Sequence, residues 1–160
     1  MTKILKFFYV AAMVLLTGYV SSALTDIGLE TWYNELDKPY LTPPNAVFPV
    51  MWTILYALMI IAVFVALDRE HDKGCSKINN IFLTQLLLQI VWCLAFFAKG
   101  QIGLGLIIII ALDIAVYRLL QTVKPLGKLP IGLLYPYYIW LLFATLLNIS
   151  YLMTYGMDVL

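Results

Sequence analysis

Three groups of side chains recur at helical spacing and could grip a flat ring. Trp52, Tyr56 and Met59 fall at i, i+4 and i+7. Gln85, Gln89, Trp92, Cys93 and Phe96 follow i, i+4, i+7, i+8 and i+11. Trp140, Ala144, Leu147, Asn148 and Tyr151 repeat the same series. Such spacing puts each set on one face of a helix. Indole and phenol faces interrupted by a few amides suit a flat, mostly apolar ligand with a few acceptors. The plainer reading of the same stripes is interhelical glue, with amides bonding across helices at roughly 0.6–2 kcal/mol each. From spacing alone the plainer reading is preferred.

Other reactive side chains are sparse. Asp113 stands inside an apolar run, where a charge costs about 2.5–3.5 kcal/mol unless paired or wet. It is read either as a proton or cation site or, preferably, as an acid partnered or held neutral within the core. Tyr117, at i+4, is its expected donor. His71 sits among Asp68, Arg69, Glu70, Asp72 and Lys73, a solvated charged turn. Cys75 and Cys93 with one histidine cannot assemble a His/Cys zinc site, and both are expected as free thiols. No nucleophile–base set, carboxylate pair or phosphate loop is present, so no catalytic residue and no metal ligand is assigned.

The elements that position these stripes follow from composition. Of 160 residues, 63% are hydrophobic and 12% charged. Soluble domains run near 45–50% and 25%. With a mean hydropathy of +0.92 the chain cannot clothe a water-facing surface, which excludes a soluble enzyme and a disordered chain. A net charge of +1 offers no field for nucleic acid. Five apolar runs, 7–24, 47–67, 78–98, 102–120 and 131–153, approach or exceed the roughly 20 residues that cross a bilayer core as a helix. They are too long and too uniformly apolar for barrel strands. The expected fold is all-α, a single integral membrane domain over 1–160 built as a five-transmembrane-helix bundle.

Lys3 and Lys6 before the first run, with Ser21-Ser22-Ala23 at its end, could imitate a secretory leader. The run exceeds the usual apolar stretch of about 7–15 residues in such leaders, so a retained helix is expected. Five crossings put Lys3, Lys6, Arg69, Lys73, Lys77, Arg118, Lys124 and Lys128 on one side, with Lys38 and Lys99 on the other. The positive-inside rule then predicts a cytoplasmic N-terminus and an outer C-terminus. Segment 25–46, about 22 residues, is long for a connection. Pro39, Pro43 and Pro44 stiffen it, and Trp32, Tyr33, Tyr40 and Leu41 give it apolar material to bury. It is read as a lid packed over one bundle end. Pro136 is expected to kink the fifth helix. The pairs Gly18/Ser22, Ala62/Ala66 and Ala111/Ala115 are weak candidate seats for a second protomer.

A longer pattern combines these pieces. It runs Trp32-Tyr33-Asn34-Glu35-Leu36-Asp37-Lys38-Pro39, Pro43-Pro44, Phe48-Pro49, Trp52-Thr53 and Leu55-Tyr56. It continues through Gln85-Leu86, Trp92 and Phe96-Phe97 to Leu134-Tyr135-Pro136-Tyr137-Tyr138-Ile139-Trp140 and Phe143 through Asn148. In this order, over about residues 30–150, the pattern resembles the TspO/MBR family of translocator proteins, tryptophan-rich sensory proteins and peripheral-type benzodiazepine receptors.

The resemblance implies a five-helix membrane protein, often a homodimer, that binds porphyrins such as protoporphyrin IX and flat drug-like molecules. No cofactor is implied; the porphyrin is a ligand. By matching motif the pocket residues would be Trp32, Tyr33, Pro43, Pro44, Phe48, Trp52, Tyr56, Trp92, Phe96, Trp140, Ala144, Leu147 and Asn148. Gln89 joins them where many members carry Asn, and Cys93 stands where Ser or Thr is common. The longer amide is expected to shift ligand preference. The tail, ISYLMTYGMDVL, lacks the basic residue of the sterol motif in animal members, a motif that is only hypothesis-grade. It fits a prokaryotic cell-membrane protein. The expected function is a tetrapyrrole receptor or sensor. Light- or oxygen-dependent porphyrin breakdown is a second possibility, without a visible redox cofactor. Porphyrin transport is a third, disfavoured because internal repeats and a charged pathway are missing.

Overall fold

A computed structural model describes residues 2–70 and 74–157, the side chains of 74–76 excepted. Among them five helices are long and apolar enough to cross a membrane, and there are no strands. They are α1 (Lys3–Gly28), α2 (Val47–Arg69), α3 (Gly74–Cys93), α4 (Ile102–Val123) and α5 (Lys128–Tyr155). The all-α five-helix expectation holds. The turn at His71 and the Cys75 thiol lie outside the described residues.

The helices begin and end where local chemistry directs. Thr2 caps α1, its hydroxyl accepting from Leu5 N at 3.4 Å. Pro49 sits in the first turn of α2, where its missing N–H costs nothing. Gly127, at φ +117°, makes the turn between α4 and α5 that a side chain would strain. Pro136 lies inside α5, which continues through it to Tyr155.

In lipid the apolar side chains gain little by leaving their solvent, so packing and interhelical bonds must hold the bundle. The centre is correspondingly tight. Val10, Val14, Met59, Ala62, Val63, Ala66, Phe82, Ile109, Leu112, Val116 and Leu141 are fully buried. Tyr137 donates to Gln85 Oε1 at 2.8 Å, and Gln85 Nε2 points to Met59 Sδ at 3.4 Å, linking α5, α3 and α2. Gln85 is therefore the glue that the plainer reading anticipates.

One bundle end is fastened by cations. Lys3 pairs with Asp68 at 2.9 Å, Lys6 Nζ donates to Leu67 O at 2.7 Å, and Arg69 donates to Leu126 O at 2.8 Å. At the opposite end α1 does not stop near residue 24. It continues to Gly28 and then through a π-helical turn, Leu29–Tyr33. The polar stretch after residue 24 lacks a proline, and the Thr25 and Thr31 hydroxyls bond back to Ser21 O and Ile27 O. The polarity marks the edge of the apolar band, not the end of the helix. The connecting segment is thus residues 34–46, shorter than the expected lid.

That segment is held at several points. Lys38 Nζ donates to Asn45 Oδ1 at 2.7 Å, Asn45 Nδ2 to Asn34 Oδ1 at 2.8 Å, and Tyr155 Oη to Asp37 O. Two of its expected anchors are misplaced. Tyr40 is 101% exposed and Leu41 54%, because the turn closed by Thr42 N to Pro39 O swings both outward. Trp32 and Tyr33, the aromatics that are buried, belong to the extension of α1.

Asp113 also differs from expectation. Its partner is Thr145 on α5, whose hydroxyl donates to Oδ2 at 2.8 Å, not Tyr117, which is exposed. The acid is bound across helices, whereas a bond along α4 was expected. Of the small-residue pairs, Ala62 and Ala66 are fully buried within the protomer, and Gly18 lies against the Tyr56 ring. The Ala62/Ala66 pair is thus taken up within the protomer.

Candidate functional site

A cavity of about 310 Å³ opens among α1, α2, α3 and α5 toward the end that carries segment 34–46. This is the low end of ligand-sized sites. From α2 it receives Phe48, Trp52 and Tyr56; from α3, Gln89, Trp92 and Cys93, with Phe97 from the following turn; from α5, Trp140 and Ala144. Tyr33 enters from the extension of α1. The stripes recognised by spacing therefore converge on one space.

Ring packing holds the walls. Trp52 lies 5.5 Å from Tyr56 and 6.2 Å from Tyr137, centroid to centroid. Phe48 meets the Trp140 ring edge-on at 6.0 Å. Trp92 stacks on Phe96 at 5.8 Å with 25° between planes. These distances are in the favourable range for aromatic pairs, so the wall rings hold one another in place.

Several residues of the family pattern stand outside this lining. Trp32 turns away, and its Nε1 donates to Phe97 O at 2.8 Å. Asn148 accepts from Trp92 Nε1 at 3.2 Å and donates to Ile102 O at 3.0 Å, so its amide sets the Trp92 indole. Phe96 and Leu147 are buried in the packing behind the walls. Pro43 is half-buried and Pro44 exposed in segment 34–46.

The fourth wall escaped the sequence reading. Gly18, Ser21, Ser22, Thr25 and Asp26 of α1 and Leu29 of its π-helical extension all line the cavity, as do Asn45, Pro49 and Thr53. The signal was present: Gly18, Ser21, Ser22 and Thr25 fall at i, i+3, i+4 and i+7, a stripe of small and hydroxyl residues. Gly18 makes room directly, since a Cβ there would stand 3.0 Å from the Tyr56 ring.

The polar atoms of the site are unusual. Among the described residues the buried Gln89 Oε1 and Trp140 Nε1, both on lining residues, have no hydrogen-bond partner, whereas the Ser21 hydroxyl lies within reach of Tyr56 and Cys93. Ser21 is 6% exposed and Gln89 1%. Gln89 Nε2 has only a weak sulfur contact, to Cys93 at 3.8 Å. An unmet buried polar group costs roughly 1–3 kcal/mol. A carbonyl on α3 and an indole N–H on α5 are thus left unmet on residues of the chamber wall. Among the described residues no cluster of three or more His, Cys, Asp or Glu could hold a metal.

Fold and cavity together define an integral membrane protein of the five-helix class with an aromatic-walled internal chamber. The TspO/MBR family model matches residues 9–153, and the chain belongs to that family. It is 38% identical over 148 residues to the tryptophan-rich protein TspO of Archaeoglobus fulgidus, covering 92% of this chain and 95% of that one. It is 30% identical over 119 residues to the tryptophan-rich sensory protein of Cereibacter sphaeroides, covering 74% and 73%. To the translocator protein of Homo sapiens it is 31% identical over 120 residues, covering 73% and 70%.

Proposed function

We propose that the protein is a membrane receptor or sensor for porphyrin-type tetrapyrroles, of which protoporphyrin IX is the type ligand, and for other flat apolar molecules. The observation that carries this reading is the pair of unmet polar atoms at Gln89 and Trp140, on residues that line an aromatic-walled chamber. A buried polar atom is normally bonded, and an unmet one on a residue that lines a chamber calls for a partner, which a small shift of the side chain toward a bound ring supplies. The ring lies against the Trp52 and Trp140 faces. Its polar substituents donate to Gln89 Oε1 and accept from Trp140 Nε1. Gln89 takes the polar role ahead of Asn148, because both ends of the Asn148 amide are already engaged.

Occupancy stiffens α1, α2, α3 and α5 against one another, and that change in packing is the signal. The bias of lysine and arginine supports a cytoplasmic side for the cation-fastened end and an outer side for the chamber. The names of the archaeal and bacterial relatives fit a prokaryotic membrane. A homodimer, as the family resemblance implies, would pair through lipid-facing surfaces such as those bearing Ile107, Ile110 and Ile114.

The test is a titration of the protein in nanodiscs with protoporphyrin IX, following tryptophan fluorescence. Saturable quenching, weakened by Trp52→Ala and Trp140→Ala, supports the reading. Linear quenching that ignores both substitutions rejects it.

A further inference from the structure

The chamber wall is unevenly exposed, and the unevenness has a direction. Ser22 and Asp26 on α1, and Asn45, Pro49 and Thr53 at the start of α2, line the cavity and are exposed at the same time. The lining residues of α3 and α5 are buried or half-buried. Spacing accounts for the difference. Gly18, Ser22 and Asp26 repeat every four residues, as do Asn45, Pro49 and Thr53, so each segment presents a ridge of short side chains. The two ridges border the seam between α1 and α2.

The other seams are shut. Phe48 on Trp140 and Trp52 on Tyr137 close α2 against α5. The Trp32–Phe97 hydrogen bond closes α1 against α3. Segment 34–46 is tied down by the Lys38–Asn45, Asn45–Asn34 and Tyr155–Asp37 bonds. Below, Gly18 against Tyr56 ends the opening. Behind it stands the unpartnered Gln89 Oε1, more than nine-tenths buried.

We propose that the α1–α2 seam is a lateral portal through which a flat amphiphile passes edge-on between bilayer and chamber, without opening of segment 34–46. The proposal rests on the chamber being a ligand pocket. Its level in the membrane fits. Ser22 lies within the apolar run 7–24, and Asp26 and Asn45 lie just beyond apolar runs, so the seam straddles acyl chains and headgroups. A ring dissolved among acyl chains with polar groups at headgroup depth meets the seam already oriented. Hydroxyls at 22 and 53 replace headgroup bonds as those groups slide past. The Thr53 hydroxyl proton is engaged with Pro49 O at 2.8 Å, which leaves its oxygen free to accept.

The experiment is stopped-flow tryptophan quenching, with protein in nanodiscs and protoporphyrin IX delivered from phosphatidylcholine vesicles. Ser22→Phe and Thr53→Phe, each singly, should slow association and dissociation together, by about tenfold. Loosening the segment with Tyr155→Phe, which removes the bond to Asp37 O and leaves Asn45 held, should leave both rates within about twofold of wild type. The portal is overturned if the phenylalanine variants leave both rates unchanged, if they raise only dissociation, or if the loosened segment speeds both. Those results leave the pocket reading intact. Absence of saturable quenching in the wild type instead removes the pocket, and the portal with it.

Discussion

Trp32 Nε1 donates to Phe97 O at 2.8 Å, joining the two π-helical turns, Leu29–Tyr33 and Leu94–Ala98. Carbonyls at a helix C-terminus lack partners within the helix, and this indole supplies one from the neighbouring element. The approach is close enough that a Cβ on Gly28 would stand 2.6 Å from the same oxygen. The bond and the glycine fix how the extension of α1, and with it Tyr33, sits over the chamber.

Trp32→Phe keeps most of the ring and leaves the Phe97 carbonyl unmet in a buried place, at a cost of roughly 1–3 kcal/mol. Gly28→Ala forces the turns apart, with an overpacking cost of about the same size. Both variants should lower the Tm in detergent and speed amide hydrogen exchange around residues 29–33. An unchanged Tm for both would show that the junction does not hold the end together.

Gln85 and Gln89 are one helical turn apart and should behave oppositely. Gln85→Leu strands the buried Tyr137 hydroxyl and destabilises the fold. Gln89→Leu removes an oxygen with no partner in the protein, so stability should hold or rise. Its porphyrin affinity should fall by about tenfold, roughly 1.4 kcal/mol. Thermal melts with quenching titrations check both halves. Equal loss of stability in the two variants contradicts the assignment.

Asp113 is bonded by Thr145 and lies off the chamber. Asp113→Asn keeps an oxygen for the Thr145 hydroxyl and removes the burden of a charge in lipid. Tm should hold or rise and the porphyrin titration should not move. A large loss of binding would return Asp113 to the functional set.

Asp26 contributes a carboxylate at the rim and repels a ligand that carries carboxylates of its own. Asp26→Asn should tighten protoporphyrin IX by about two- to fivefold, as expected of an exposed charge, and leave its dimethyl ester unaffected. The effect on the acid should shrink with added salt. An equal change for acid and ester would assign the effect to shape.

The bundle was legible because five runs of membrane-spanning length leave a chain this apolar few other folds. The α2, α3 and α5 walls were legible because tryptophan and glutamine stand out at helical spacing. The α1 wall was not, because Gly18, Ser21 and Thr25 carry no chemical signature until their neighbours are known. Polarity after residue 24 hid the end of α1, since hydroxyls that bond back to the helix let it run past the apolar band. For Trp32 and Asn148 the motif located the residues, and only packing showed that their polar atoms are occupied by Phe97, Trp92 and Ile102. Asp113 found its donor on another helix, a pairing that spacing along one helix cannot disclose.

The most direct test of the central claim is a structure of the protein determined with protoporphyrin IX bound. The account expects the ring between Trp52 and Trp140, with ligand polar atoms about 2.7–3.2 Å from Gln89 Oε1 and Trp140 Nε1. A ring held outside the helices, or a chamber refilled by its own side chains, would contradict it.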